Sequence, residues 1–245
     1  MIESLLLSTT RLQTFSGQNL LTGASGFFFR RSGRLYLVSS RHVLLDEISE
    51  HRPDRIEIEI HTDEANLASS AVISIPLYSE GTAIWKHATD AAGAIDVAVI
   101  ELHRAAWPAN ALVQAFGPEH LVDCLDSVRV GDTLLVPGYP LGFHDTVHHL
   151  PVARWACVAS AFGVRFQGQG YFLTDGRTHR GSSGAPVVLA PTENKRDLPW
   201  HLLGVHSSRL DMSNRDSAQD ESLGLNCAWY ADVLMPLTEE QQLSP

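Results

Sequence analysis

Residues Arg55-Ile-Glu-Ile-Glu-Ile60 alternate charged and apolar side chains without a fault. A period of two gives a strand one dry face and one wet face, and no helix can satisfy it. Apolar runs of strand length recur along the rest of the chain. They are Leu5 to Phe15, Phe27 to Arg30, Arg34 to Val38, Ala71 to Leu77, Val97 to Leu102, Thr133 to Val136, Val152 to Ser160, Tyr171 to Thr174, Ala185 to Ala190, His201 to His206 and Leu223 to Ala228. With Arg55 to Ile60 they predict about a dozen strands, and Gly, Pro, Asn and Asp punctuate the gaps. Ser32-Gly33, for example, sits where a tight hairpin needs a positive φ. Helical patterns of the length that parallel βαβ units require are missing between the runs. The expected class is therefore all-β, as an antiparallel sandwich or a pair of barrels.

Length and charge narrow the function. The chain has 245 residues, with 28 acidic against 18 basic side chains and a net charge of −10, which excludes a basic footprint for nucleic acid. Glu3 stands where a secretory signal carries positive charge, Leu5 to Leu7 is too short for an apolar signal core, and Asp96 interrupts the best apolar run, Ala91 to Ile100. The expectation is a soluble, cytoplasmic protein with no membrane partner. Cys124, Cys157 and Cys227 cannot all pair and none forms a C-x-x-C motif, so reduced thiols are expected. Between Arg104 and Asp126 the pattern loosens around Trp107-Pro108 and Gly117-Pro118. This predicts an N-terminal unit over 1–106, a linker over 107–126 and a C-terminal unit over 127–245. Ala231 to Leu237 reads as a short helix, and Thr238 to Pro245 as a frayed end.

The sharpest chemical feature is Gly181-Ser-Ser-Gly-Ala-Pro186, in which two glycines bracket two serines ahead of an apolar strand. In isolation it reads equally as an ordinary Ser/Gly turn or as a nucleophile loop. In the second reading the backbone N–H groups of Gly181 and Ser183 converge on an oxygen as it becomes an anion. Serine at neutral pH needs a base and an orienting acid. His42 follows the Arg34 to Val38 run directly, and Asp96 opens an otherwise apolar one, where a carboxylate requires a donor such as an imidazole N–H.

The order His42, Asp96, Ser183 resembles that of the chymotrypsin-like serine peptidases, and of their bacterial trypsin-like and glutamyl endopeptidase branches in particular. Short segments carry the resemblance in the family's order: Gly23-Ala-Ser-Gly26-Phe, Ser40-Arg-His42-Val, Asp96-Val-Ala-Val, Gly138-Tyr-Pro140, Thr174-Asp175, Gly181-Ser-Ser183-Gly-Ala-Pro186 and Leu203-Gly-Val-His-Ser207. The resemblance implies two antiparallel six-stranded β-barrels with the active site between them. His42 is then the general base, Asp96 its orienting partner, Ser183 the nucleophile, and Gly181 and Ser183 the oxyanion donors. Two departures stand out. Ser182 occupies the place where peptidases activated by cleavage carry an Asp that receives a new N-terminus. The cysteines, moreover, do not flank His42 or Ser183 as the disulfides of secreted members would.

In glutamyl endopeptidases a histidine at the place of His206 lines the specificity pocket, and Thr178 matches a hydroxyl that helps there. Arg177, His179 and Ser207 stand close by in the sequence. The expected substrate is a protein or peptide cut after Glu, with Gln or Asp next. The plainer alternative has His206 packing in the second barrel on a backbone carbonyl. Phe143-His-Asp-Thr-Val-His-His149 groups three histidines with an acid, but it reads as a solvated loop rather than a zinc site. No phosphate loop and no interleaving of basic and aromatic residues is present, so neither cofactor, metal nor nucleic acid is expected. A cytoplasmic endopeptidase calls for narrow specificity or a regulatory protein partner. The competing function is a catalytically silent, peptidase-like module that binds a peptide or a partner.

Overall fold

The computed structural model describes residues 3–190, 197–209 and 224–239. Within them lie fifteen strands. The first nine are β1 (Thr9–Ser16), β2 (Asn19–Arg31), β3 (Arg34–Ser39), β4 (Arg55–His61), β5 (Ser70–Pro76), β6 (Tyr78–Ser79), β7 (Thr82–Ala83), β8 (Trp85–Asp90) and β9 (Gly93–Leu102). After them come β10 (Thr133–Gly138), β11 (Val152–Val158), β12 (Tyr171–Asp175), β13 (Pro186–Leu189), β14 (His201–Arg209) and β15 (Leu225–Tyr230). Two single-turn helices complete the set, α1 (Arg41–Leu44) and the C-terminal α2 (Leu234–Leu237). No helix among the described residues is long and apolar enough to cross a membrane. Leu223, expected at a strand start, and residues 240–245 of the expected frayed end lie outside the described residues.

The fold is mostly β and built from two sheets. Strands β10-β11-β12-β15-β14-β13 close into a six-stranded barrel, whereas β5-β4-β1-β2-β3-β9-β8 form a seven-stranded sheet. This second sheet beside the closed barrel is consistent with the expected double barrel, with seven strands where six were expected, and β8 is a strand that sequence reading missed. Its burial falls away after Trp85, which leaves an edge strand with no apolar alternation to announce it. The small β6–β7 pair is likewise too short to carry a period. At the other end of the chain's first run, Ser4–Leu7 turns as a 3₁₀ helix, so that β1 begins only at Thr9.

Strand β4 behaves as its alternation demands. Ile56, Ile58 and Ile60 are buried while Glu57 and Glu59 face outward, where they meet Arg55 and Arg11. Residues 24–29 of β2, 35–39 of β3 and 97–100 of β9 are buried on both faces. Phe28, Leu37 and Ile100 point into the core of the first sheet, while Phe27, Phe29, Val38, Val97 and Val99 pack against Val188, Leu202, Val205, Trp229 and Leu234 of the C-terminal half. Full burial of one such side chain stabilises by about 1.5–3 kcal/mol, so this second face holds the two sheets together. The barrel has its own core of Leu134, Val136, Val158, Phe172, Val187 and Leu203. His42 and Asp96 come from the sheet, Ser183 from the barrel, and the packed face between the two fixes their approach.

Candidate active site

His42 is the second residue of α1. Val43 and Leu44, which follow it, are buried in the first core, and this anchoring turns the imidazole outward into the cleft. Asp96 stands in β9 between buried Ile95 and Val97. Its carboxylate can only accept hydrogen bonds, so each partner must donate. The His42 backbone N–H donates to Oδ1 at 2.8 Å, the His42 Nδ1–H to Oδ2 at 2.7 Å, and the Ser207 hydroxyl to Oδ2 at 2.5 Å. A proton held on Nδ1 leaves Nε2 of the neutral ring unprotonated, which is the form a general base requires. Burial pushes His42 toward the neutral form, but the Asp96 hydrogen bond, the Asp96 charge and the charge of Asp46 outweigh it and raise its pKa above the ordinary 6.5.

Ser183 lies at the turn after Gly181, and its hydroxyl donates to the Ser207 carbonyl at 3.0 Å. No hydrogen bond joins it to His42 among the described residues. A hydroxyl has one proton to give, and in this rotamer the proton goes to the strand. The loop backbone is fixed from several directions. Gly181 and Gly184 have φ of 91° and 83°, a region that favours glycine. A Cβ at Gly181 would lie 2.5 Å from the Tyr139 carbonyl, and one at Gly184 would collide with Ser39 and Ser25. The Leu141 N–H donates to the Arg180 carbonyl at 2.6 Å and the Ser25 N–H to the Ser183 carbonyl at 3.0 Å. The N–H groups of Gly181 and Ser183 have no acceptor among the described residues.

The residues expected in the specificity pocket fall into different places. Ser207 is buried, and its hydroxyl belongs to Asp96 rather than to a pocket wall, a role that sequence reading missed because the two residues are 111 positions apart. Thr178 is buried and donates to Asn226 Oδ1 at 2.5 Å, while the Asn226 amide donates to the carbonyls of Gly176 and Gly224. The His206 ring is buried with Nδ1 lacking a partner, and burial, then the nearby His42, lowers its pKa to about 4. The Ser40 hydroxyl caps the His206 carbonyl at 3.1 Å. Arg177 is exposed, and its carbonyl takes the Arg154 Nε–H.

A cavity of about 810 Å³ opens beside His42 and Ser183, and none of these pocket residues lines it. Its walls come from Leu21 to Ala24, from Asp46 and Ser49 to Arg52, and from Arg180 and Gly181. Only an irregular acidic and basic run after His42 marks these walls in the sequence. Away from the cleft, His148 bonds to Asp145 and His149 to Glu59, and among the described residues no group of three or more metal-capable side chains gathers.

The model of the trypsin-like peptidase domain matches residues 24–193, a stretch that includes His42, Asp96 and Ser183. Among solved structures the fold is similar to a serine endoprotease from Yersinia pestis, with 14% identity and a TM-score of 0.55, over 94% of this chain and 61% of that one. It is also similar to an HtrA-type protease solved with a tripeptide, with 16% identity and a TM-score of 0.56, over 94% of this chain and 58% of that one. The chain spans about three fifths of the length of these two structures. No curated protein sequence matches it. With more than half of its residues inside the domain match, the chain belongs to the trypsin-like peptidase domain family.

Proposed function

We propose that the chain is a serine endopeptidase with His42, Asp96 and Ser183 as its triad. The observation that carries this reading is the double hydrogen bond from His42 to Asp96 beside a nucleophile loop whose Gly181 and Ser183 N–H groups are unspent. In this mechanism the Ser183 hydroxyl leaves the Ser207 carbonyl for His42 Nε2, across the cavity that both residues line. His42 removes its proton as the oxygen attacks the scissile carbonyl, and the two N–H groups receive the oxyanion. The imidazolium, held by Asp96, then protonates the leaving amine. Water repeats the sequence in reverse and frees the acyl group.

Cleavage after Glu, with Gln or Asp next, belongs to the same proposal. It rests on His206 and Thr178, buried polar side chains on the barrel half. The His206 ring is neutral at pH 7, so it offers a hydrogen bond rather than a charge, and a carboxylate entering there must share a proton. Free Cys124, Cys157 and Cys227 support a reducing compartment. The division into 1–106, 107–126 and 127–245 is also part of this reading.

A silent binding module has one observation in its favour, the Ser183 hydroxyl turned to Ser207. Peptides that differ only in the residue before the cut, followed by mass spectrometry of the products, test the proposal. Turnover best after Glu or Gln supports it. Best turnover after Lys, Arg or a large apolar residue removes the specificity, and no turnover of any peptide leaves the module.

A further inference from the structure

Two sequence segments that resemble the family but hold no triad residue or oxyanion donor, Gly23-Ala-Ser-Gly26 and Gly138-Tyr-Pro140, meet the nucleophile loop at one side chain. Ser25 in β2 is fully buried. Its hydroxyl donates to the Gly181 carbonyl at 2.8 Å and accepts the Tyr139 N–H at 3.0 Å. Its backbone N–H donates to the Ser183 carbonyl, and its own carbonyl takes the Ser39 hydroxyl at 2.9 Å. Every polar group of this residue is thereby used, and two of its bonds end on the nucleophile loop. Gly138 makes the room, since a Cβ there would lie 2.7 Å from the Ser25 hydroxyl oxygen.

We infer that Ser25 is a positioning residue for the oxyanion hole, an inference that rests on the peptidase reading above. A peptide unit is planar with its C=O and N–H on opposite sides, so fixing a carbonyl fixes where the N–H points. The Leu141 N–H holds the Arg180 carbonyl, and this turns the Gly181 N–H the other way. Ser25 holds the next carbonyl, that of Gly181 itself. Both peptides flanking Gly181 are then pinned, and neither can flip to put a carbonyl where the oxyanion must sit. Gly181 needs this restraint, because glycine at positive φ rotates more freely than any other residue. Ser182 occupies the position of the Asp that receives a new N-terminus in cleavage-activated peptidases, and the hydroxyl of Ser25 supplies a tether to the loop from within the first sheet. A donor that also accepts strengthens both bonds, which favours hydroxyl over a side chain that only accepts or only donates.

The test compares Ser25→Ala, Ser25→Thr and Ser8→Ala with the native chain, each counted by active-site titration with a fluorophosphonate. Ser8 is also fully buried, but its hydroxyl bonds to the Leu5 carbonyl, away from the cleft. Ser25→Ala should lower kcat about tenfold or more with KM changed less than about threefold. It should also weaken a peptide aldehyde, whose adduct mimics the tetrahedral oxyanion, by the same factor. Ser25→Thr should restore kcat to within about threefold, and Ser8→Ala should lower the melting temperature while leaving kcat per titrated site intact. A Ser25→Ala enzyme with native kcat per titrated site overturns the inference, whatever its melting temperature. If that variant does not fold, Ser25→Cys, of similar size and a weaker donor, replaces it: a several-fold kcat loss supports the inference and no loss overturns it. A native chain that folds yet neither reacts with the fluorophosphonate nor cleaves peptide removes the peptidase reading. An active, labelled chain indifferent to Ser25→Ala removes only the role of Ser25.

Discussion

Ser183 stands between two unlike regions. Toward His42 the surface opens into a cavity of about 810 Å³ whose wall carries Asp46, Glu50, Arg52 and Arg180, with Glu50, Arg52 and Arg180 exposed. Toward the barrel, Thr178, Ser207, His206 and Asn226 are all at least 95% buried; Thr178 and Asn226 bond to each other and to backbone, and the Ser207 hydroxyl bonds to Asp96. Under the proposed specificity, each region carries its own kind of selectivity. Charges on the open side are screened over about 8 Å at physiological salt and contribute little apiece. On the closed side an unmatched polar atom has no water to turn to, so a single hydrogen bond there discriminates strongly.

The largest expected effect comes where the two regions join. Asp96 Oδ2 accepts His42 from the open side and Ser207 from the closed side. Asp96→Asn keeps the shape but offers an N–H where an acceptor is needed. It should lower kcat by about 10³–10⁴-fold with little change in KM, by comparison with the same substitution in a known serine peptidase. Steady-state kinetics on a cleaved peptide checks this.

Next in size is a change confined to the closed side. His206→Ala should flatten the preference for Glu or Gln over Leu before the cut by about 10–100-fold, measured as a ratio of kcat/KM values in one mixture. Its pH dependence has a fixed sign. The folded pKa of about 4 lies below the ordinary 6.5, so below pH 6.5 the unfolded chain binds the extra proton first. The stability contribution of the neutral ring is whole above pH 6.5 and is lost as the pH falls toward 4. Melting temperatures should drop over that window, less so in His206→Gln. The turnover of Glu relative to Gln should rise over the same window, since a carboxylate gains from a protonated imidazole.

Effects on the open side should be smaller and should fade with salt. Because the His42 pKa is raised, activity should climb with pH through a midpoint above 6.5 as the base loses its proton. Asp46→Asn, which removes the smallest of the influences favouring the imidazolium, should move that midpoint down, and less in 1 M NaCl. The smallest effect is that of Arg180→Ala, about two- to threefold on peptides with an acidic residue after the cut and none at high salt. An effect of Arg180→Ala that survives 1 M NaCl would erase the contrast between the two sides.

Those two sides were unequally legible in the sequence. The alternation of β4 is a local signal that periodicity exposes, and the proposed triad of His42, Asp96 and Ser183 was legible only through the order it shares with the family it resembles. Strand β8 escaped because an edge strand needs only one buried residue, Trp85. The strand count of the first sheet escaped with it, because it depends on which distant strands pair, as β1 does with β4. The partner of the Ser207 hydroxyl and the union of Ser25 with Gly181, 156 positions away, exist only once both sheets are packed. The cavity wall at 46–52 has no period at all. It is held by the paired backbones of Asp46 and His51 and by the Asp46 carboxylate on Ser49, loop contacts that any polar sequence of that length resembles.

The nucleophile assignment has the most direct test. The native chain, Ser183→Ala and His42→Ala are each treated with a fluorophosphonate, and the modified peptide is mapped by mass spectrometry. A single adduct on Ser183 is expected, absent in Ser183→Ala and slowed by orders of magnitude in His42→Ala. A folded native chain that takes no label, or a label that persists when Ser183 is alanine, would contradict a nucleophile at that turn.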